Sequence, residues 1–223
     1  MGMTIPSRFQ PIHFFRRDRS SATFLATDHR LGRNEVVVKI SGKTAGRRDA
    51  DVVERLLWYQ GVSHGILSEM LDAGLSRSGD LYSVRAHYGG SEFFSAPSMD
   101  RVKSLLSVVD FLYSKGQTHG SIKPTNIFTS GQEIRLADPW LGASSVGDRK
   151  CLSEEDVRFT APEVLAGALL TPDSDLYSIG AVLYRFYSGR DPFEDSDMES
   201  LKAKYIWASP RPEQRLPCFT RDR

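Results

Sequence analysis

Two lysines, a serine, an asparagine and several aspartates stand out in this chain because their types and order suit phosphoryl transfer. That chemistry needs a cation on the phosphates, oxygen ligands for magnesium and a carboxylate that orients the attacking hydroxyl. Lys39 ends the apolar run Val36-Val37-Val38-Lys39. Next comes His119-Gly120-Ser121-Ile122-Lys123-Pro124-Thr125-Asn126, and Asp138-Pro139-Trp140 begins twelve residues after Asn126. Phe159-Thr160-Ala161-Pro162-Glu163 and Asp173-Ser174-Asp175-Leu176-Tyr177-Ser178-Ile179-Gly180 follow. A lone lysine ending a strand is more often a solvated edge residue, so no single member of the set carries an argument. The order does.

The elements that must position these residues change character midway. Ala22–Thr27 and Glu35–Ile40 are rich in β-branched and apolar residues, with Leu31-Gly32-Arg33-Asn34 as the turn between them. Asp49–Gln60 spaces Val52, Val53, Leu56 and Leu57 as a helix does, and its first turn holds Asp49 and Asp51, which suit the positive end of the dipole. Asp80–Ala86 is a further strand, closed by Gly89-Gly90. From Ser98 to Lys115, Val102, Leu105, Leu106, Val109 and Leu112 keep helical spacing, with Gly116 as a stop. Asn126–Thr129 and Glu133–Ala137 form a predicted hairpin around Ser130-Gly131-Gln132, and Gly142–Asp156 is a predicted loop. Ile179, Val182, Leu183 and Phe186 repeat helical spacing before Gly189, and a last helical stretch covers Met198–Ile206. Strands first and helices second predict an α+β, two-lobed arrangement: a small antiparallel β-sheet lobe and a mainly helical lobe.

Bulk composition narrows the partners. With 223 residues, 40% hydrophobic and 26% charged, the chain is an ordinary globular one, and its net charge of +1 argues for neither nucleic acid nor an anionic membrane. The arginine clusters Arg16, Arg17, Arg19 and Arg47, Arg48 read as solvated surface. Two cysteines, Cys151 and Cys218, make neither a disulfide framework nor a zinc quartet. No secretion-signal pattern opens the chain, and Pro6 stands where myristoylation wants Ser or Thr. The run Leu176–Tyr187 is too short to span a bilayer. Cytoplasm is the expected compartment.

Taken in register, the motifs resemble those of eukaryotic-type protein kinase domains of the Ser/Thr class, over roughly residues 8–215 of the chain. The resemblance implies one kinase-like domain across 1–223, with a small lobe over about 8–87 and a large lobe over 88–223. It implies that Lys39 contacts ATP phosphates, that Glu54 is its partner on the small-lobe helix, and that Val37 lies under the adenine. A one-residue shift would put Val53 in place of Glu54. Asn126 and Asp138 match the magnesium ligands, Lys123 the catalytic-loop lysine, Glu163 a structural glutamate and Asp175 the aspartate that supports the catalytic loop.

The pattern also breaks. Ser121 stands where the family has its catalytic aspartate, and a neutral hydroxyl cannot orient or accept a proton as a carboxylate does. Gly120 replaces the arginine that holds a phosphorylated loop in many members, although Ser144, Ser145 and Ser153 are available for modification. The three glycines of the phosphate loop fall on Arg16, Asp18 and Ser21, whose side chains keep the backbone from the phosphates. Pro139 and Trp140 replace Phe and Gly after Asp138. Asp156 sits five residues before Ala161, where the family often has threonine, so carboxylate and hydroxyl are exchanged; a pairing of Asp156 with Lys123 would return negative charge to the catalytic centre. The family's closing helices, with the arginine that pairs with Glu163, would fall beyond Arg223.

These breaks favour a pseudokinase that works as a protein-interaction or regulatory module, with weak binding of ATP and Mg or none. The alternative is a slow Ser/Thr kinase working through Lys39, Asn126 and Asp138 on a protein substrate. A small-molecule phosphotransferase of the aminoglycoside-kinase type also begins its catalytic loop His-Gly, but it lacks the Lys123-Pro124, Ala161-Pro162-Glu163 and Asp175–Gly180 features.

Overall fold

The computed structural model describes residues 5–17, 21–41, 49–89, 98–130, 133–139, 153–193 and 198–207. Asp18, Arg19, Arg47, Arg48, Gly90, Trp140, Ser144, Ser145, Cys151 and Cys218 lie outside the described residues. The chain divides into two compact units, with the break after Gly89.

The first unit is an antiparallel sheet with one helix, α1 (Asp49–Gln60). Strands β1 (Phe9–Arg17), β2 (Ser21–Asp28), β3 (Arg33–Ser41), β4 (Met70–Leu75) and β5 (Leu81–Ala86) lie in the order β1-β2-β3-β5-β4. β2 alternates half-buried with buried residues, the sign of a strand with one face on a core. Val36, Val38 and Ile40 of β3 join Phe9, Ala22, Phe24, Ala26 and Val84 in that core. The two-residue period sends Val37 and Lys39 to the opposite face of β3, where Lys39 is in register with Thr23 and Ser83. The turn before β3 spans residues 29–32, so the predicted turn at Leu31–Asn34 runs two residues into the strand.

Arg8 fastens the edge of this sheet. Its guanidinium donates to both oxygens of Asp28, from Nε at 3.2 Å and from the terminal nitrogen at 2.5 Å, and to Asp72. It also lies 4.6 Å from the Phe9 ring centroid. Burial would raise the Asp28 pKa, but hydrogen bonds from Arg8, Leu31 and Arg30 and the Arg8 charge bring it below the ordinary carboxylate value. On α1, Leu56 and Tyr59 are buried while Leu57 is 52% exposed, so the apolar face read from spacing is rotated. The side chains of Val52 and Val53 lie outside the described residues.

The second unit is mainly helical: α2 (Met99–Ser114), α3 (Glu154–Phe159), α4 (Pro162–Leu165), α5 (Pro172–Ser188) and α6 (Met198–Trp207), with the hairpin β6 (Ile127–Ser130) and β7 (Glu133–Leu136). Ser98 caps α2 by accepting the Arg101 N–H. Leu105, Val108, Val109 and Leu112 form its buried face; Leu106, expected there, is 40% exposed. Thr171 and Ser174 close a capping box on α5, Pro172 opens its first turn, and Gly189 ends it at φ 71°. The predicted loop Gly142–Asp156 gives way to helix α3 at Glu154, because Ser153 and Asp156 form a second capping box. Arg158 of α3 pairs with Glu154 and, at 2.8 Å, with Asp191. Val157, Phe193 and Leu201 pack together beneath it. No described helix is long and apolar enough to cross a membrane.

Candidate active site

The segment from His119 to Asn126 makes no ladder with any strand, so its backbone N–H groups need other acceptors. Asp175, in the first turn of α5, supplies them. Its Oδ2 accepts the His119 N–H at 2.6 Å and its Oδ1 accepts the Gly120 N–H at 2.7 Å, with the residue 1% exposed. The helix N-terminus favours this buried negative charge. Gly120 holds φ 71°, a left-handed conformation in which any side chain is strained. His119 is fully buried, and its Nδ1 accepts the Ser121 N–H at 3.3 Å.

Asn126 closes the segment from the other end. Pro124 starts a single 3-10 turn over Pro124–Asn126, which brings the Asn126 side chain back over the loop. Its Nδ2 donates to the Ser121 carbonyl at 2.8 Å and to Ser121 Oγ at 2.9 Å, and the Asp138 carbonyl lies at 3.5 Å. Asp138 itself takes φ 57°, two residues after the end of β7. Aspartate tolerates that region better than most residues. The Asn126 amide nitrogen is thus committed to the loop, and Oδ1 is its metal-capable atom.

Lys123 is buried, and two carboxylates hold it. Its Nζ lies 2.6 Å from Asp156 Oδ1 and 3.3 Å from Glu155 Oε2, and the Thr125 hydroxyl donates to the same Glu155 oxygen at 3.0 Å. The second oxygen of Asp156 accepts both the N–H and the O–H of Ser153, at 3.0 and 2.6 Å. Burial pushes the Asp156 pKa up, but the Lys123 charge and the hydrogen bonds from Lys123 and Ser153 outweigh it and bring the group below its ordinary value. Gly120, Ser121, Ile122, Lys123, Asp156, Phe159 and Thr160 line one recess, roomy enough for about one water molecule.

The structure therefore brings Ser121, Lys123, Asn126, Asp138 and Asp156 together in the second unit. Lys39 and Val37 lie in the first unit, sharing one face of β3, with Lys39 half-buried and Val37 buried. Glu54 is exposed on α1, and among the described residues no ion pair joins it to Lys39. Glu163 is exposed as well; its charge, after burial, helps push the Tyr177 phenol up to about 12. Glu155 and Thr125 escaped the sequence reading, since nothing in residue order marks a contact across 30 positions. The Ser153-x-x-Asp156 spacing was the available clue to α3. Among the described residues no group of three His, Cys, Asp or Glu could hold a metal, so any magnesium would rest on two protein oxygens and the phosphates, a common arrangement for that ion.

The protein kinase domain family matches residues 75–214. A serine/threonine-protein kinase PDK1 from Cryptococcus neoformans is 28% identical over 189 residues, covering 79% of this chain and 15% of that protein. A probable KIN1 homolog from Encephalitozoon cuniculi is 34% identical over 109 residues, covering 47% of this chain and 19% of that protein. The human calcium/calmodulin-dependent protein kinase type IV is 27% identical over 124 residues, covering 50% of this chain and 26% of that protein. The chain thus spans between about a sixth and a quarter of the length of these relatives. With its α+β architecture and the matched segment covering more than half of its residues, the chain belongs to the protein kinase domain family.

Proposed function

We propose that this kinase domain is a pseudokinase: a protein-interaction or regulatory module that binds ATP and magnesium weakly and transfers phosphate poorly or not at all. One observation carries the reading. Ser121 occupies the loop fixed by Asp175 and Asn126, and its hydroxyl accepts the Asn126 amide at 2.9 Å, where phosphotransfer asks for a carboxylate. Asp156, the carboxylate on the same recess, has both oxygens engaged and a lowered pKa, so it is a weak base.

In this reading Lys39 and Val37 contact the nucleotide, and Glu54 contributes from α1. Asn126 Oδ1 and the Asp138 carboxylate would hold magnesium, which would neutralise charge on the phosphates. Partners are proteins, and the compartment is the cytoplasm; the near-neutral charge supports neither nucleic acid nor membrane. Thermal shift with ATP, with and without magnesium, tests the binding half: a small magnesium-dependent rise is expected. No rise at millimolar nucleotide would remove ATP from the reading. Phosphate incorporation into a protein substrate, abolished by Lys39→Ala, would overturn the pseudokinase reading.

A second reading, a slow Ser/Thr kinase, draws support from Asp156 lining the recess beside Ser121. Its charge could orient a hydroxyl without removing the proton.

A further inference from the structure

Helix α2 carries a second apolar row besides its buried face of Leu105, Val108, Val109 and Leu112. Met99, Leu106 and Tyr113 stand at i, i+7 and i+14, and they are 46%, 40% and 64% exposed. Single apolar side chains on a surface are ordinary, but a periodic row along one helix is the pattern a second helix packs against. Lys103 and Asp110, also exposed, interleave with the row. At about 100° per residue, Met99, Lys103, Leu106, Asp110 and Tyr113 share an arc of about 80°, with both charges on one flank of the apolar row.

This face is complementary to itself. A two-fold axis through Leu106 sets α2 antiparallel to its copy, with Leu106 against Leu106 and Met99 against Tyr113, a contact that suits sulfur and ring. The same axis brings Lys103 of each copy within about one residue's rise of Asp110 of the other. Because both charges lie on one flank, the two-fold leaves each beside its opposite. A parallel pairing would set lysine on lysine and aspartate on aspartate. Within its own helix Lys103 reaches Asp100 at 3.7 Å, with side chains 70% and 92% exposed, a solvent-screened contact that it can exchange.

We infer that α2 is a homodimerisation surface whose occupant is α2 of a second copy of this chain, antiparallel and centred on Leu106. One helix pair of this length buries less than a standard interface, so the dimer is weak, with a dissociation constant on the order of tens of micromolar. The inference goes beyond the proposed function and does not depend on whether Ser121 supports phosphotransfer.

The test is sedimentation velocity of the full chain at low ionic strength, from about 1 to about 300 μM, a range that brackets such an affinity. Wild type is expected to pass from monomer to dimer across it. Leu106→Glu is expected to weaken association at least about tenfold, by setting two carboxylates together at the axis. Lys103→Glu and Asp110→Lys are each expected to weaken it about tenfold, and combining them to return it to within about threefold of wild type. These positions are exposed, so the fold is expected to survive; Tyr113→Ser is a second apolar variant should Leu106→Glu unfold. Wild type that stays monomeric at every concentration overturns the inference and would give the row to a different protein. A dimer that Leu106→Glu and Tyr113→Ser leave unchanged also overturns it. So does a combined charge variant no tighter than the two single ones, because the antiparallel register requires the rescue.

Discussion

Asp156 divides its carboxylate between two tasks: Oδ1 sits 2.6 Å from Lys123 Nζ, and Oδ2 accepts the Ser153 N–H and O–H. Helix capping and the Lys123 ion pair therefore meet in one side chain. Asp156→Ala removes the side-chain half of the α3 capping box, while the 156 N–H still reaches Ser153 Oγ, and leaves Lys123 with Glu155 as its carboxylate partner. A loss of about 2–4 kcal/mol in urea unfolding is expected. A loss under about 0.5 kcal/mol, the size of an ordinary surface change, would mean the pair is decorative.

The same group gives the domain an acid-sensitive contribution. The folded-state pKa of Asp156 lies below its ordinary value of 3.8, so the unfolded chain binds the proton more readily. Its stabilisation is therefore fully present above the unfolded value and is lost as pH falls through the folded one. Urea midpoints measured from about pH 7 down to about pH 3 should fall less steeply for Asp156→Asn than for wild type. Equal slopes would contradict the assignment.

Arg8→Ala strands Asp28, which is fully buried, with only the Arg30 and Leu31 N–H donors at 2.9 and 3.2 Å. The expected cost is about 3 kcal/mol. Arg8→Lys should recover only part of it, because an ammonium cannot fork onto Asp28 and Asp72 together. Chemical denaturation of the two variants decides the matter.

The strand that follows Arg8 was hidden in the sequence, and the reason is physical. After Phe9 every residue of β1 is exposed, so Phe9–Arg17 shows no alternation, and Pro11 argues against a strand. β4 was equally silent: Asp72 and Gly74 interrupt its apolar residues, and Asp72 makes sense only beside Arg8 and Arg30. By contrast α2 was legible almost to the residue, since Ser98 and Gly116 bound continuous helical spacing; the end of α5 near Gly189 was legible too, while its start lies at Pro172, just before the Asp173-Ser174-Asp175 entry read from the sequence. The motif residues Ser121, Lys123, Asn126 and Asp138 could be picked out because, in order, they resemble the motifs of protein kinase domains. Their neighbours Glu155 and Thr125 could not, because their contacts depend on where α3 lands.

Ser121→Asp places a carboxylate where the Asn126 amide already donates to an oxygen. If the missing carboxylate limits phosphotransfer, protein phosphorylation should rise at least about tenfold above wild type in a radiolabel assay. No rise, in a variant that still binds MgATP, would place the defect elsewhere in the site.

Asp175→Asn keeps one acceptor but turns an amide donor toward either the buried His119 N–H or the half-buried Gly120 N–H. A loss of about 1–3 kcal/mol is expected, with faster hydrogen exchange at His119 and Gly120. Unchanged exchange at both amides would show that the aspartate does not hold the loop.

The tie from α5 back to residues 119 and 120 spans 56 and 55 positions of chain. Closing so large a span costs entropy before any reward arrives, and contacts of that kind form late. A ribosome making this domain therefore finishes the reactive segment long before it makes the carboxylate that shapes it. Until residue 175 emerges, residues 119 to 126 have only their own short-range contacts, such as Asn126 to Ser121, and a nascent chain stalled short of α5 would lack the acceptor for the His119 and Gly120 N–H groups.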